Sequence, residues 1–262
     1  MPLTEASARL AFAPTVQEAA RFLAEARTTG NLSDRLPETC QPHTLEDGHA
    51  TQLATAALLG DTIAGWKVAT TPEGRHVRGG LLQSRIFQDK TALSPTLVPL
   101  LGVEAEIAFR FDRELAPRDE PYTYAEVRDA VTALPAIEVV DSRFRDYPNA
   151  PFLHRLADFM SNGAFIRGAV HQDWRSVDLA ALDAELVIDG TTVIRQRGGH
   201  PTKDPLLPAI TLVNELRSQG GVVKGTVVTT GTYTGLNFAK PGQTVTANFQ
   251  GFGSVSLKID GP

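Results

Sequence analysis

A single cysteine, Cys40, stands in 262 residues, so no disulfide can form within the chain and a reducing compartment fits. Basic residues are outnumbered, 25 Lys and Arg against 30 Asp and Glu, and the formal net charge is −5. A nucleic-acid surface needs a basic stripe, and none is found. Apolar runs fall far short of the roughly 20 residues of a membrane span. No basic segment followed by an apolar one opens the chain, so no secretory signal is read and the expected location is the cytoplasm. His and Cys pairs at ligand spacing are missing, which disfavours zinc. Internal repeats and low-complexity tracts are also missing. What is present, 42% hydrophobic and 21% charged residues, is ordinary for a globular protein long enough to bury a large core.

The region 1–61 reads as helical. Val16, Ala19, Ala20, Phe22, Leu23 and Ala26 recur at helical spacing after Pro14 in a first-turn position. Thr44 can cap a second helix over 45–59, which Gly60 can end. From 62 to 262 the character is mostly β. Strands are expected over 62–69, 97–111, 136–141, 163–170, 226–230, 244–249 and 254–259, and a hairpin turns at Asp189-Gly190. Two helices interrupt them, one after Thr123 with a capping box to Glu126, the other opening at Asp204-Pro205 and ending at Gly220. The expected class is α+β, a small N-terminal helical region (1–61) before a β-rich domain (62–262).

The most informative stretch runs Val103-Glu104-Ala105-Glu106-Ile107-Ala108-Phe109-Arg110-Phe111. Strict alternation puts Val103, Ala105, Ile107, Phe109 and Phe111 on one face and Glu104 and Glu106 side by side on the other. On a solvated edge the two acids would repel only weakly; in a cleft they require a cation. Glu138 sits in another strand-like run, Pro135 to Asp141, amid apolar neighbours, and needs a partner, either an arginine or a metal. Three carboxylates would suit a hard divalent ion such as Mg²⁺ or Mn²⁺ with positions left for water or a chelating substrate.

These residues lie in blocks that resemble the fumarylacetoacetate hydrolase superfamily, in particular its 2-keto-4-pentenoate hydratase and 2-oxo acid decarboxylase group. The blocks are Gly65-Trp66-Lys67-Val68-Ala69, Val103 to Ala108, Pro135 to Arg143, Leu156-Ala157-Asp158 with Ser161-Asn162-Gly163, Gly199-His200-Pro201, Thr229-Thr230-Gly231 and Gly251 to Val255. The resemblance implies a barrel-like β-rich catalytic fold, Mg²⁺ or Mn²⁺ on Glu104, Glu106 and Glu138, a small 2-oxo acid substrate and a homo-oligomer. It implies Lys67 and Glu106 as catalytic residues, with desolvation bringing the Lys67 pKa toward a useful range. Ser161, Thr230 and Gly231 are implied around the substrate, Arg78 is expected there as a departure from the pattern, and His200 reads as a structural turn histidine. Arg143 and Arg145 either clamp a distal carboxylate or neutralise Asp141 and Asp146.

The implied reaction is metal-dependent hydration of a 2-hydroxydienoate or 2-oxo-enoate to a 4-hydroxy-2-oxo acid in the breakdown of ring-cleavage products. C–C hydrolysis of an acylpyruvate and decarboxylation of a 2-oxo diacid are the alternatives, and a non-catalytic binding protein is a third. For the hydrolase, His43, Glu46 and His49 offer a base. The chain departs from the group's pattern at Arg78, where an acid is usual, and at Asp158-Phe159 in place of Asp-Asn.

Overall fold

The computed structural model describes residues 12–71 and 73–261. In chain order its helices and strands are α1 (Pro14–Thr29), α2 (Leu45–Leu58), β1 (Ile63–Thr70), β2 (His76–Leu82), β3 (Ile86–Gln88), β4 (Thr91–Leu93) and β5 (Gly102–Phe111). Then come α3 (Tyr124–Ala130), β6 (Val131–Val140), α4 (Phe152–Ala157), β7 (Asn162–Arg167), β8 (Asp183–Ile188) and β9 (Thr191–Arg197). The chain closes with α5 (Leu207–Leu216), β10 (Val227–Thr232), β11 (Asn237–Phe238), β12 (Thr244–Phe249) and β13 (Gly253–Ile259).

Local signals account for most of these boundaries. Pro14 opens α1, and Gly30 ends it at φ 75°, its N–H donating to Ala26 O. Thr44 and Thr123 cap α2 and α3 through reciprocal capping boxes with Asp47 and Glu126. Three expectations shift. The strand expected over 97–111 starts at Gly102, because Leu97 and Leu101 close turns onto Ser94 and Val98. Asp204 is spent on a turn to the Leu206 N–H, so α5 opens later, at Leu207. β6 begins at Val131, directly from α3 and ahead of Pro135. β2 and α4 went unread: Gly79-Gly80 hides the strand, and α4 is short for a periodic signal.

The strands form two sheets. One runs β2-β1-β10-β5-β6-β7-β3 with β11 added to β5, and the other runs β4-β13-β12-β8-β9. β2 and β3 lie at opposite edges of the first sheet yet are joined by a single turn at Gln83–Arg85, so the sheet curls back on itself. The outer face of β5, Val103 through Phe111 at alternate positions, joins Leu186, Val245, Ala247 and Leu257 of the second sheet in the main core. The inner face holds a smaller apolar cluster of Leu81, Ala108, Leu134, Ala136, Phe165 and Val227.

Both N-terminal helices pack on the segment joining β6 to β7. Leu23 and Leu36 share a cluster with Phe144 and Ala157, and the buried Gln52 of α2 bonds Leu156 O, Arg78 O and the Gly80 N–H. Arg27 of α1 pairs with Asp158 at 2.9 Å, and Asp158 also pairs with Arg143 at 2.7 Å, which pairs with Asp141. All four side chains are at most 5% exposed. Arg145 pairs instead with Asp34 at the surface. Removing one member leaves an uncompensated buried charge, so Arg143→Met is expected to lower stability in urea by about 3–5 kcal/mol. An effect below about 1 kcal/mol would place the network effectively in water.

Candidate metal centre and its surroundings

Strand register builds the site. Glu104 on β5 lies directly opposite Glu138 on β6, and Glu106 lies one pleat along, opposite Ala136. Like charges directly opposed across strands are destabilising unless something neutralises them. β5 is an interior strand flanked by β6 and β10, so the acids are not the solvated face of an edge. Glu106 is 3% exposed and Glu138 0%. One carboxylate oxygen from each glutamate comes within 4.8 Å of the others.

The partner of Glu138 is neither solvent nor an arginine. Lys67 Nζ of β1 donates to its Oε1 at 2.7 Å, and Asn162 Nδ2 of β7 donates to the same atom at 3.0 Å. The other oxygen, Oε2, is buried without a hydrogen bond among the described residues. The Thr229 hydroxyl donates to Glu106 Oε2. Thr229 is the direct parallel neighbour of Lys67 across β1 and β10, which puts both side chains on the face of the acids.

Three carboxylates against one ammonium leave the group short of positive charge. Burial, then the charge of Glu138, pushes the Glu104 carboxyl up to about 7, although Lys67 opposes the rise. Glu106 is held well above its ordinary 4.5 by burial and by the charges of Glu138 and Glu104. For Lys67, burial acts downward, but Glu138, Glu104 and Glu106 outweigh it and hold the ammonium above its ordinary value. Its pKa is thus raised, contrary to the expectation that desolvation would lower it. The orphaned Glu138 Oε2, the convergence of hard oxygen donors and the unbalanced charge all fit a divalent cation held by Glu104, Glu106 and Glu138.

A strained turn roofs the group. Phe159, Met160 and Ser161 all have positive φ, 53°, 51° and 60°, a conformation costing about 1–2 kcal/mol per non-glycine residue. The turn aims Met160 O at Lys67 Nζ, 3.2 Å away, and leaves the buried Ser161 Oγ without a partner. Gly79 on β2, opposite Lys67, admits this turn, because a Cβ there would stand 2.5 Å from Phe159 O.

The remaining expected residues divide. Thr230 is buried on β10, its hydroxyl 3.4 Å from His200 Nε2, and Gly231 at φ 131° lies against Pro201 and His200. His200 is held through Nδ1 by Thr202, as a turn histidine is. Arg78, expected among the substrate-binding residues, is not brought to this group. It pairs with Val68, on the face of β1 opposite to Lys67, where its guanidinium covers Trp66 and bonds Glu215 and Gln219. His43 and Glu46 are exposed, and His49 accepts from the Arg78 N–H. Burial, followed by the Arg78 charge, lowers the His49 pKa to about 4. Thr229 and Asn162 carried no signal beyond their places in the family-like blocks, and the Met160 carbonyl carried none.

Metal binding needs ionised carboxylates, so affinity for Mn²⁺ or Mg²⁺ by calorimetry is expected to rise between pH 6 and 8, as Glu104 ionises through about 7. The metal-free protein has the opposite trend from this group. A raised carboxylate stabilises the fold fully below its unfolded value near 4.5, and that contribution is lost as pH rises through about 7. The melting-temperature gain on adding metal should therefore widen with pH; a gain independent of pH would remove Glu104 from the site.

Comparison with known proteins now bears on this geometry. Residues 83–260 match the family model described as fumarylacetoacetate (FAA) hydrolase C-terminal. The 2-keto-4-pentenoate hydratase of Paraburkholderia phymatum is 30% identical over 253 residues, covering 92% of this chain and 95% of the relative. The 2-hydroxyhexa-2,4-dienoate hydratase of Comamonas testosteroni is 28% identical over 252 residues, covering 90% and 93%. In fold, the chain is similar to the 4-oxalocrotonate decarboxylase of Pseudomonas putida G7 solved with magnesium and adipate, with a TM-score of 0.78, 22% identity, and 93% and 97% of the two chains covered. An α+β chain with a curled β-rich body and three glutamates converging from β5 and β6, matched over most of its length by these proteins, belongs to the fumarylacetoacetate hydrolase family.

Proposed function

We propose that this protein is a divalent-cation-dependent hydro-lyase that adds water to a 2-hydroxydienoate or 2-oxo-enoate, giving a 4-hydroxy-2-oxo acid, in the breakdown of ring-cleavage products. The observation that carries the reading is the buried Glu104, Glu106 and Glu138 group beside the charged Lys67, in a chain 30% and 28% identical to two hydratases over 92% and 90% of its length. A scaffold protein has no use for such clustered buried acids. The single buried thiol of Cys40 fits a reducing cytoplasm, and assembly into a homo-oligomer follows from the family resemblance. No described helix is long and apolar enough to cross a membrane.

Mg²⁺ or Mn²⁺ on the three glutamates would supply Lewis-acid stabilisation of negative charge on the oxygens of a chelating 2-oxo acid. The chain's own residues handle protons and position. The dienol loses its O2 proton and gains one at C5, leaving a C3=C4 double bond conjugated with the new C2 carbonyl. Water oxygen then bonds C4, and the displaced electron pair takes a proton at C3, for a net gain of one water. Lys67 Nζ, fixed between Glu138 Oε1 and Met160 O, is the proton donor we assign. Glu106, held by the Thr229 hydroxyl, counts as catalytic because it would be a ligand of that cation. The free Ser161 hydroxyl, Thr230 and Gly231 are the assigned substrate contacts. Arg78 is left out of this set: committed to Glu215, it ties β2 to α5.

Turnover of 2-hydroxypenta-2,4-dienoate, followed by loss of dienol absorbance and by product mass, tests the reading. Metal-dependent gain of one water is expected, with Glu106→Gln and Lys67→Met each lowering kcat by about 10³-fold or more. No turnover of this dienol, with CO₂ released from a 2-oxo diacid or an acylpyruvate split into two acids, would instead establish the decarboxylase or the C–C hydrolase. Ser161→Ala should lower kcat by about 10–100-fold with little change in melting temperature, since its Oγ has no structural partner to lose.

A further inference from the structure

A cavity of about 20 Å³ lies where the end of α1, the turn joining β2 to β3, the residues ahead of β5 and those leaving β6 come together. Arg27, Arg85, Arg143, Asp141 and Ser142 line it, and none of the three glutamates does. The space exceeds the roughly 10–15 Å³ that one water needs, and it cannot take a carboxylate or a phosphate. The Arg27 and Arg143 side chains are 3% and 4% exposed, and Arg85 is half-buried.

Three guanidiniums share this place with two carboxylates. Asp158 gives one oxygen to Arg27 and the other to Arg143, and Asp141 gives its oxygens to Arg143 and the Leu100 N–H. Arg85 donates to Leu97 O and makes no ion pair among the described residues. Asp61 attracts it from farther off, its own oxygens taken by Thr62 and Ser84. One positive charge is left over. The carbonyl end of α1 sets only about half a negative charge against it. Burial, then the Arg143 charge, lowers the Arg27 pKa to about 10 although Asp158 and Asp141 oppose them, and the same two causes lower that of Arg85.

Donors are left over as well. Arg27 Nε is buried without a hydrogen bond among the described residues. The Ser142 hydroxyl accepts from the Phe144 N–H, and its own proton has no acceptor among them. Buried donors without acceptors are costly, and a surplus buried charge more so. A water in the cavity would meet the donors and leave the charge; a monovalent anion meets both.

We infer that this cavity binds one small monovalent anion of the halide class, chloride in ordinary buffers, held by Arg27, Arg85 and the Ser142 hydroxyl. The anion relieves the repulsion among three guanidiniums and ties α1 to the turn ahead of β5 and to the segment leaving β6. The site is separate from the three glutamates and does not depend on which reaction they serve.

The test compares melting temperatures in sodium chloride, sodium bromide and sodium gluconate at equal ionic strength, gluconate being too large for the cavity. Chloride and bromide should each raise the melting temperature by about 3 °C or more over gluconate, along a saturating binding curve. General salt effects favour the more strongly hydrated gluconate over bromide, so they run the other way. Arg85→Gln removes the surplus charge and can keep a bond to Leu97 O; it should lose the difference, and Arg85→Lys should keep it. In crystals grown in bromide, anomalous scattering should place one bromide beside Arg27 Nε. Equal melting temperatures of the wild type in the three salts overturn the inference, as does a halide gain that persists in Arg85→Gln. A cavity that holds only water in the bromide crystal overturns it too, and so does a bromide bound at crystal concentration only, with no response in solution.

Discussion

Three carboxylates buried against one ammonium are the constraint around which this structure is arranged. Glu104 and Glu138 face each other across two interior strands, Glu106 follows one pleat later, and among the described residues Lys67 supplies the one compensating charge in direct contact. Such a group raises the energy of the fold unless a cation completes it. Its neighbours limit that cost by hydrogen bonding: Asn162 and Lys67 take one oxygen of Glu138 and Thr229 takes one of Glu106, while Glu138 Oε2 stays free. A site kept under charge strain by its own scaffold has much to gain from a divalent cation. Hydratase chemistry would use that same affinity to gather a chelating 2-oxo acid.

The helical region and the sheet are linked through this group. Arg27 of α1 bonds both Asp158 and the carbonyl of Asn162, whose amide holds Glu138. From helix to Glu138 is thus a chain of two residues. The Arg27–Asp158–Arg143–Asp141 network anchors the segment that bends through Phe159, Met160 and Ser161 in left-handed conformation. Strain of this kind persists only where surrounding contacts over-determine it. Here those contacts place a carbonyl on Lys67 and a free hydroxyl beside it. The departure at Phe159, where an asparagine is usual in the group, fits the same frame, since the Arg27 guanidinium lies over the Phe159 ring at 4.7 Å.

The other departure resolves differently. The arginine in place of the usual acid was expected beside the substrate, but strand parity turns the Arg78 side chain to the far face, against Trp66 and α5.

Much was legible in the chain itself, because local physics wrote it there. Period-2 alternation over 103–111 assigned the two faces of β5, capping boxes and Pro14 set the helix starts, and the family-like blocks pointed to Glu104, Glu106, Glu138 and Lys67. These features depend on neighbours a few residues apart or on motifs that survive as strings. Strand pairing decided the rest: which residue opposes which acid, that Thr229 stands beside Lys67, that Arg78 faces away, and that Gly79 exists to admit the Phe159 carbonyl. The direction of the Lys67 pKa shift was decided there too, since burial alone would lower it and only the three converging carboxylates reverse the sign. Pairing register and the closing of a sheet are long-range matters, and no window of sequence contains both partners.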